Sequence, residues 1–240
     1  MTAEATVVLD GETMRRTLVR IAHEIVEKNP VVAQADGSSA PAERQADAGS
    51  APAESRTDFS SARAERRTDP SSARAERRQA PLSVALVGIH RRGAILARRL
   101  HSLTSELLDT EVPLGELDIA FYRDDLGMRP SAPVVHSTHL EFPLAGRTVV
   151  IVDDVLYTGR TARAAIDAIF DYGRPDRIQL AVIIDRGHRE LSIRPDYLGK
   201  NLPTSRRQRV NVHVTELDGV DEVTVGPVAG RLEVTGSGPR

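Results

Sequence analysis

The sequence contains no cysteine and no tryptophan, and aromatic residues make up only 3% of it. Without cysteine the chain can form neither a disulfide nor a thiolate metal site, which is compatible with a reducing cytoplasm. With so few aromatics, the hydrophobic core must be built from Val, Ile, Leu and Ala side chains. At 240 residues, 40% of them hydrophobic, the chain is long enough for one sizeable domain with a tail or an insert.

Long apolar runs are also missing. The longest contain about five to seven residues, far fewer than the roughly 20 that a membrane-spanning helix requires. The first residues lack a basic region followed by an apolar run, so no signal peptide is expected. The formal net charge is only -2, which excludes a bulk positive charge for binding nucleic acid or anionic membranes. We therefore expect a cytoplasmic protein without membrane contact, in which any nucleic-acid binding depends on a local basic surface.

The N-terminal part predicts one helix, Glu12 to Lys28. Its apolar residues recur at spacings of one helical face, and they are Met14, Leu18, Ile21 and Ile25. Asp10 is a plausible N-cap, and Asn29-Pro30 ends the run. A second stripe on this helix carries Arg16, Arg20, His23 and Glu27, which is typical either of a solvated face or of a surface that binds anions or RNA.

Residues 31–81 differ sharply in composition from the rest of the chain. Ala, Ser, Arg, Glu, Asp and Pro dominate, and the stretch Arg56 to Arg66 is repeated almost unchanged as Arg67 to Arg77. The repeat offers no large apolar position except Phe59, so nothing would drive its packing. Basic and acidic residues are balanced, which argues against a basic RNA-binding arm. We interpret this segment as a disordered insertion.

The pattern after Pro81 alternates apolar strands with amphipathic helices, which predicts a mostly parallel sheet covered by helices. The predicted strands are Val84–Ile89, Leu117–Tyr122, Thr148–Val152, Ile178–Ile184 and Val210–Val214, and the predicted helices are Gly93–Leu108 and Thr161–Tyr172. Arg123 to Arg147 is predicted as a long loop, and Asp185 to Ser205 as an irregular basic segment. The predicted division is 1–30, an N-terminal helical part; 31–81, the insertion; 82–228, the α/β core; and 229–240, a flexible tail.

The segment that carries chemistry is Val149 to Thr161, with sequence VVIVDDVLYTGRT. An apolar strand leads into two adjacent carboxylates, followed by a short turn that opens a helix. The turn can present several N–H groups to one phosphate, at a helix N-terminus that favours negative charge. Asp153 and Asp154 would repel a phosphate but accept hydrogen bonds from hydroxyl groups. A ribose 5-phosphate carries both a phosphate for the turn and hydroxyl groups for the two carboxylates.

Two common phosphate-binding motifs are excluded at this segment. It lacks the Gly-x4-Gly-Lys-Ser/Thr pattern of a P-loop, and it lacks the Gly-x-Gly-x-x-Gly turn of dinucleotide-binding folds. The remaining alternative without function is a buried strand followed by a capped helix, with an Asp pair that binds nothing.

The same segment closely resembles the phosphoribosyl pyrophosphate motif of type I phosphoribosyltransferases. Three further segments resemble the PyrR family of bifunctional pyrimidine operon regulators and uracil phosphoribosyltransferases: Leu86–Gly93, Leu117–Leu126 and Asp185–Ser205. The similarity extends over about Val7 to Lys28 and Leu82 to Val223. It implies the type I phosphoribosyltransferase fold, in which residues 185–205 form a hood over the acceptor base. The implied reaction converts uracil and phosphoribosyl pyrophosphate to UMP and diphosphate.

The resemblance also implies which residues form the site. Asp153 and Asp154 would meet the ribose hydroxyls, and Arg123 would contact the pyrophosphate from a mobile loop. Mg²⁺ is expected on the substrate oxygens, near the two aspartates, without a dedicated protein site. The residues expected to bind substrate are Arg91, Arg92, Asp153, Asp154, Val155, Leu156, Tyr157, Thr158, Gly159, Arg160, Thr161, Arg186 and Val210. Arg91 departs from the Thr that the family usually has at this position.

A second implied activity is binding of the pyrimidine operon mRNA leader, promoted by UMP. The matching basic positions are Arg20, His23, His188, Arg189, Arg194 and Lys200. The alternative without RNA binding is that these residues form surface ion pairs, Arg189 with Glu190 and Arg194 with Asp196. The family usually forms dimers or higher oligomers, so we expect a homo-oligomer. Two alternatives stay open: an RNA-binding regulator with little or no catalysis, and a purine or orotate phosphoribosyltransferase.

Overall fold

The computed structural model describes residues 5–30, 83–122 and 137–228, and all of them belong to one compact unit. The elements are β1 (Thr6–Leu9), α1 (Gly11–Lys28), β2 (Val84–Ile89), α2 (Arg92–Leu108), β3 (Leu114–Leu117), a 3-10 turn (Ala120–Tyr122), β4 (Thr148–Leu156), α3 (Arg160–Tyr172), β5 (Arg177–Asp185), β6 (Tyr197–Asn201), β7 (Gln208–His213), α4 (Thr215–Asp218) and β8 (Glu222–Pro227). The predicted insertion, the predicted mobile loop with Arg123, and the tail lie outside the described residues. No helix in the described part is long and apolar enough to cross a membrane.

The main sheet has five parallel strands in the order β3-β2-β4-β5-β6. All six residues of β2 are buried, and so are Val149 to Val152 of β4. Burial on both faces explains why these strands are continuous apolar runs in the sequence rather than alternating ones. The predicted parallel α/β core is confirmed. A smaller antiparallel sheet, in the order β1-β8-β7, brings together the two ends of the described chain.

Helix α1 agrees with its prediction at both ends. The Asp10 side chain accepts a hydrogen bond from the Thr13 N–H at 2.8 Å, as an N-cap residue should, and the helix ends at Asn29. All four residues of the predicted apolar stripe are buried. Asn29 is itself buried and donates hydrogen bonds to the Tyr197 hydroxyl and the Gln179 side chain at 2.9 and 3.1 Å. This polar cluster fixes α1 against β5 and β6.

The prediction of a strand over Leu117–Tyr122 is wrong. Strand β3 covers Leu114–Leu117 instead, and Ala120–Tyr122 form the 3-10 turn. Pairing with β2 ends where β2 ends, at the pair Ile89 and Leu117. Beyond it, Asp118 Oδ1 accepts a hydrogen bond from the Ala120 N–H at 2.7 Å, and such a local side-chain bond competes with strand pairing.

Two further boundaries differ from the prediction. Strand β4 continues to Leu156, because Asp153 and Leu156 still pair with Val182 and Asp185 of β5. The two aspartates therefore lie within a strand rather than after its end. The segment 185–205, predicted as irregular, contains β6, which pairs along β5 as the edge strand of the sheet.

Candidate functional site

The carboxylate pair lies at the carboxyl-terminal end of β4, the central strand of the sheet. Both side chains are partly buried, and each accepts a hydrogen bond from the next amide in the chain. The Asp154 N–H donates to Asp153 Oδ1 at 2.9 Å, and the Val155 N–H donates to Asp154 Oδ1 at 2.8 Å. These bonds fix both carboxylates at the edge of the sheet where ligands bind in open α/β folds.

Burial raises the pKa of Asp154 above its ordinary value of 3.8. Hydrogen bonds from its neighbours and the positive charge of Arg92 oppose this shift. Hydroxyl donors or a bound cation would stabilise the ionised form that burial disfavours. In the described residues, no cluster of three or more metal-ligating side chains exists. Two neighbouring carboxylates therefore suit Mg²⁺ only where a ligand supplies most of the oxygens.

A short turn, Tyr157 to Gly159, joins β4 to the start of α3. Gly159 precedes the helix with φ of +93°, a left-handed conformation that favours glycine. Gly159 has no side chain that could cap the helix, and the Arg160 N–H donates a long hydrogen bond, 3.4 Å, to Thr158 Oγ1. The first N–H groups of a helix have no intrahelical acceptor, so the start of α3 can bind an anion such as a phosphate. The predicted phosphate-binding segment therefore leads into the start of a helix.

The junction between β2 and α2, which includes Gly93, lies beside the aspartates. A Cβ atom on Gly93 would be 2.5 Å from the Val152 carbonyl oxygen and 3.3 Å from Asp153 Cα, so only glycine permits this packing. The close approach brings Arg92, at the start of α2, near enough to Asp154 to influence its pKa. Arg92 Nη2 also contacts both carboxylate oxygens of Asp218 at 2.9 and 3.1 Å. Arg91 is exposed, and the His90–Arg91 peptide bond is cis.

The hood is joined to the turn by several hydrogen bonds. The N–H groups of Glu190 and Leu191 donate to the Thr158 carbonyl at 3.0 and 3.1 Å. Arg189 Nη1 donates to the Tyr157 carbonyl at 2.7 Å, and Arg189 also pairs with Asp185. Together with the ion pair between Arg160 and Glu190 at 2.8 Å, these contacts make the turn and residues 187–191 one connected unit.

Arg186 is buried and bound within the hood. Its guanidinium donates to Thr204 Oγ1 at 3.1 Å and to the Gln208 carbonyl at 2.7 Å, and it lies 4.3 Å above the Tyr157 ring. These contacts fix the conformation of the hood, so Arg186 has a structural role in addition to any contact with substrate. Val210, another predicted substrate-binding residue, is buried in β7 of the small sheet.

The predicted RNA-binding residues of α1 and β6 lie close together. Arg20 Nη2 donates to the Leu198 and Gly199 carbonyls at 2.8 and 2.9 Å, and Lys200 Nζ donates to the Val8 carbonyl at 3.3 Å. His23 is exposed on α1, with Nδ1 2.8 Å from the Val19 carbonyl oxygen. This part of the molecule therefore brings together basic side chains from two elements that are distant in sequence, and Arg20 also pairs with Glu24.

A cavity of about 720 Å³ in the hood is lined by three more of these residues, His188, Arg189 and Arg194. Arg194 is exposed and has no hydrogen-bond or ion-pair partner in the described part of the chain. The alternative pairings are wrong: Arg189 pairs with Asp185, while Asp196 accepts a hydrogen bond from the Leu180 N–H at 2.9 Å.

Sequence reasoning missed a residue that supports the site from a distance. Asp218 contacts Arg92 across 126 positions of the chain. It belongs to no spacing pattern that points to Arg92. Asp218 follows β7 in the short acidic run Thr-Glu-Leu-Asp, and that was the only available signal.

Known proteins resemble this chain over most of its length. The family model of the phosphoribosyl transferase domain matches residues 75–215. The bifunctional protein PyrR of Chloroflexus aurantiacus is 57% identical over 218 residues, which are 91% of this chain and 93% of that protein. The bifunctional protein PyrR of Roseiflexus is 47% identical over 219 residues, with the same two coverages.

Solved structures resemble the chain at much lower identity. A hypoxanthine-guanine phosphoribosyltransferase of Bacillus anthracis is 11% identical with a TM-score of 0.55, covering 94% of this chain and 100% of that one. The hypoxanthine phosphoribosyltransferase of Trypanosoma cruzi is 12% identical with a TM-score of 0.54, covering 93% of this chain and 97% of that one. At such identities the likeness concerns the fold alone, and it confirms the predicted type I phosphoribosyltransferase fold.

Proposed function

The chain belongs to the PyrR family of phosphoribosyltransferases, and we propose that it transfers the phosphoribosyl group of phosphoribosyl pyrophosphate to uracil, giving UMP and diphosphate. The family resemblance found in the sequence is thereby confirmed. The relatives are named bifunctional, which agrees with a second proposed activity, regulation of pyrimidine gene expression through RNA.

The observation that carries the enzymatic proposal is the succession, within residues 153–161, of two carboxylates and the start of a helix preceded by Gly159. The 5′-phosphate would bind the amides of Thr158 to Thr161, and the ribose hydroxyls would donate to Asp153 and Asp154. The turn's side chains and backbone, from Val155 to Thr161, enclose the sugar phosphate. A single ribose 5-phosphate group can therefore bind both the carboxylates and the helix start of this segment.

In the proposed reaction, the bond from the anomeric carbon to diphosphate breaks and a bond to a ring nitrogen of uracil forms, while that nitrogen loses its proton. The chain's task is to position the donor and to stabilise the charge of the departing diphosphate. Arg92 lies beside the carboxylate pair, where its guanidinium can donate hydrogen bonds to diphosphate oxygens. We assign supporting contacts to Arg91 and to Arg123 of the predicted mobile loop.

Mg²⁺ would supply further neutralisation of the diphosphate charge. Asp153 and Asp154 fit a metal whose other ligands come from the substrate and from water, since no richer cluster exists in residues 5–30, 83–122 and 137–228. The hood, 185–205, would cover the base, held over the turn by Arg189 and Arg186. Val210 would support this region from the small sheet.

A transfer assay across several bases tests the proposal. The purified chain, with phosphoribosyl pyrophosphate and Mg²⁺, should form UMP from uracil. Product from hypoxanthine, guanine or orotate should be at least about 100-fold slower, since hydrogen-bonding sites discriminate strongly against a base with the wrong edge. Preference for a purine or orotate would make the chain a different phosphoribosyltransferase. No turnover with any base, combined with RNA binding, would leave a regulator without catalysis.

For the second activity, we propose that the chain binds the pyrimidine operon mRNA leader and that UMP promotes this binding. The supporting observation is the grouping of Arg20 and Lys200 on neighbouring elements, with Arg194 exposed at the hood cavity. His23, His188 and Arg189 complete the proposed surface. We further propose a cytoplasmic homo-oligomer in which residues 31–81 are an insertion within the domain formed by 1–30 and 82–228.

Arg194 is the sharpest probe of RNA binding, because its side chain supports nothing else in the described structure. Arg194→Ala should weaken binding of the leader RNA and lower the slope of log affinity against log salt by about 0.7 to 0.9, the loss of one phosphate contact. UMP formation and the midpoint of thermal unfolding should stay at wild-type values. Electrophoretic mobility shifts at several salt concentrations measure the effect.

The matched control is Arg163→Ala, which removes an exposed arginine from α3. It should leave RNA affinity unchanged. Equal RNA affinity of Arg194→Ala and wild type would remove Arg194 from the surface. Arg189→Ala is a poorer probe, because Arg189 also holds the turn through the Tyr157 carbonyl.

A further inference from the structure

The short helix α4 supplies a carboxylate to the candidate site. Asp218, its last residue, contacts Arg92 Nη2 with both of its oxygens at 2.9 and 3.1 Å. Asp218 Oδ2 in turn accepts the Val214 N–H at 3.0 Å, and His213 Nδ1 lies 3.8 Å from Oδ1. The Val214 N–H and Arg92 lower the pKa of Asp218, so it stays ionised at neutral pH. The contact is therefore a charge-assisted pair with a fixed carboxylate.

The rest of the Arg92 guanidinium has no such partner. Its Nε is buried and has no hydrogen-bond acceptor among the described residues. Its Nη1 also finds no acceptor in that part of the chain. A buried donor without a partner is unfavourable and rare in folded proteins. The next residue, Gly93, packs directly against Val152 and Asp153, so these N–H groups lie beside the proposed binding site for phosphoribosyl pyrophosphate.

We propose that Asp218 is a positioning residue, which holds the Nη2 side of Arg92 so that its other N–H groups meet the diphosphate. An arginine side chain has several rotatable bonds, and fixing it before the ligand binds removes an ordering cost from binding. Asp218 itself touches no reacting atom. This inference rests on the proposed transfer reaction and adds a residue that its sequence motifs do not contain.

A neighbouring ion pair provides an internal contrast. Arg99, seven positions after Arg92 on the same helix, contacts Glu216 and Asp221 at 2.6 and 2.8 Å. Glu216 belongs to the same short helix as Asp218 but does not contact Arg92. Glu216→Gln therefore removes a carboxylate from α4 while Arg99 remains paired with Asp221. Its effect measures what loss of charge and of helix packing does without any change at Arg92.

The experiment compares Asp218→Asn with Glu216→Gln in the full chain. Asp218→Asn should raise the KM for phosphoribosyl pyrophosphate and the Kd for diphosphate by about tenfold, since small losses of alignment weaken substrate positioning strongly. The KM for uracil should change less than about twofold. Glu216→Gln should keep wild-type values throughout. In an Arg92→Ala background, Asp218→Asn should add no further loss of diphosphate affinity, because its effect passes through Arg92.

Unchanged diphosphate affinity in folded Asp218→Asn would overturn the inference, as would an equal loss in Glu216→Gln or a full additional loss in the Arg92→Ala background. If Asp218→Asn does not fold, Asp218→Glu decides the question. It keeps the charge but displaces it, so it should weaken diphosphate binding with wild-type uracil KM, and unaltered binding would contradict the role. Wild-type protein that forms no UMP would instead contradict the proposed function.

Discussion

Asp154→Asn should lower the rate of UMP formation by about 100-fold or more. The substitution keeps the shape of the side chain and its acceptor for the Val155 N–H, but it removes the negative charge beside the ribose. In a partly buried site, loss of a preorganised charge that stabilises the transition state typically costs two or more orders of magnitude. Steady-state assays with uracil and phosphoribosyl pyrophosphate measure the change. Asp167→Asn, on the exposed face of α3, is the control and should retain full activity.

The same variant should be at least as stable as wild type at neutral pH. Burial raises the pKa of Asp154, so the folded state disfavours its charge. This cost is absent well below the ordinary value of 3.8, where both folded and unfolded chains are protonated, and it is complete above the folded-state pKa. Asp154→Asn should therefore unfold at an equal or higher temperature at pH 7, with the difference shrinking as the pH falls towards 4. Lower stability together with lower activity would indicate a structural role for Asp154.

Gly93→Ala should destabilise the fold by about 3 kcal/mol, although alanine normally favours a helix over glycine. The new Cβ would lie 2.5 Å from the Val152 carbonyl oxygen, and this neighbour is backbone of a central strand that cannot move aside. Helix α2 would have to move away from β4, taking Arg92 away from the two aspartates. Urea unfolding gives the loss of stability, and the transfer assay should show a parallel loss of activity.

The control for this variant is Gly146→Ala. Gly146 has φ of +76°, but no other described residue lies within 4 Å of the place that a Cβ would take, so alanine there meets conformational strain without a clash in the described part of the chain. We expect a loss of about 1 kcal/mol and unchanged activity. If Gly93→Ala were no more damaging than Gly146→Ala, the close packing of α2 on the aspartate strand would be wrong.

Local patterns in the sequence were sufficient for the elements that form the site. The apolar runs of β2, β4 and β5 are continuous because these strands are buried on both faces, and the α1 stripe repeats at helical spacing because one face packs on the sheet. The carboxylate pair and the turn after it were predicted because all their residues are adjacent in sequence. The position of the two aspartates inside β4 was not predicted, because polar residues usually mark the end of a buried strand.

Contacts between distant segments could not be predicted in this way. The pair of Arg92 and Asp218 depends on how α4 packs against the start of α2, and no periodicity records that. Likewise, Arg189 looked like a surface charge beside Glu190, but the fold turns it towards Asp185 and the Tyr157 carbonyl. The end of β3 was misplaced because Ala120–Tyr122, although apolar, form a 3-10 turn outside the sheet, in which Phe121 is exposed.

The links between hood and turn also bear on how the two proposed activities communicate. A phosphate bound to the turn would contact the same short segment whose carbonyls hold Arg189 and whose Arg160 holds Glu190. His188 and Arg189 line the hood cavity, so ordering of the turn by UMP can favour one arrangement of the proposed RNA surface. We propose that these contacts link UMP binding to RNA binding.

The most direct measurement of the central claim is a crystal structure of the chain with UMP bound. The phosphate should lie within hydrogen-bond distance of the amides at Thr158 to Thr161, and the two ribose hydroxyls should donate to Asp153 and Asp154. A nucleotide bound elsewhere, with the start of α3 empty and the carboxylates away from the ribose, would contradict the account.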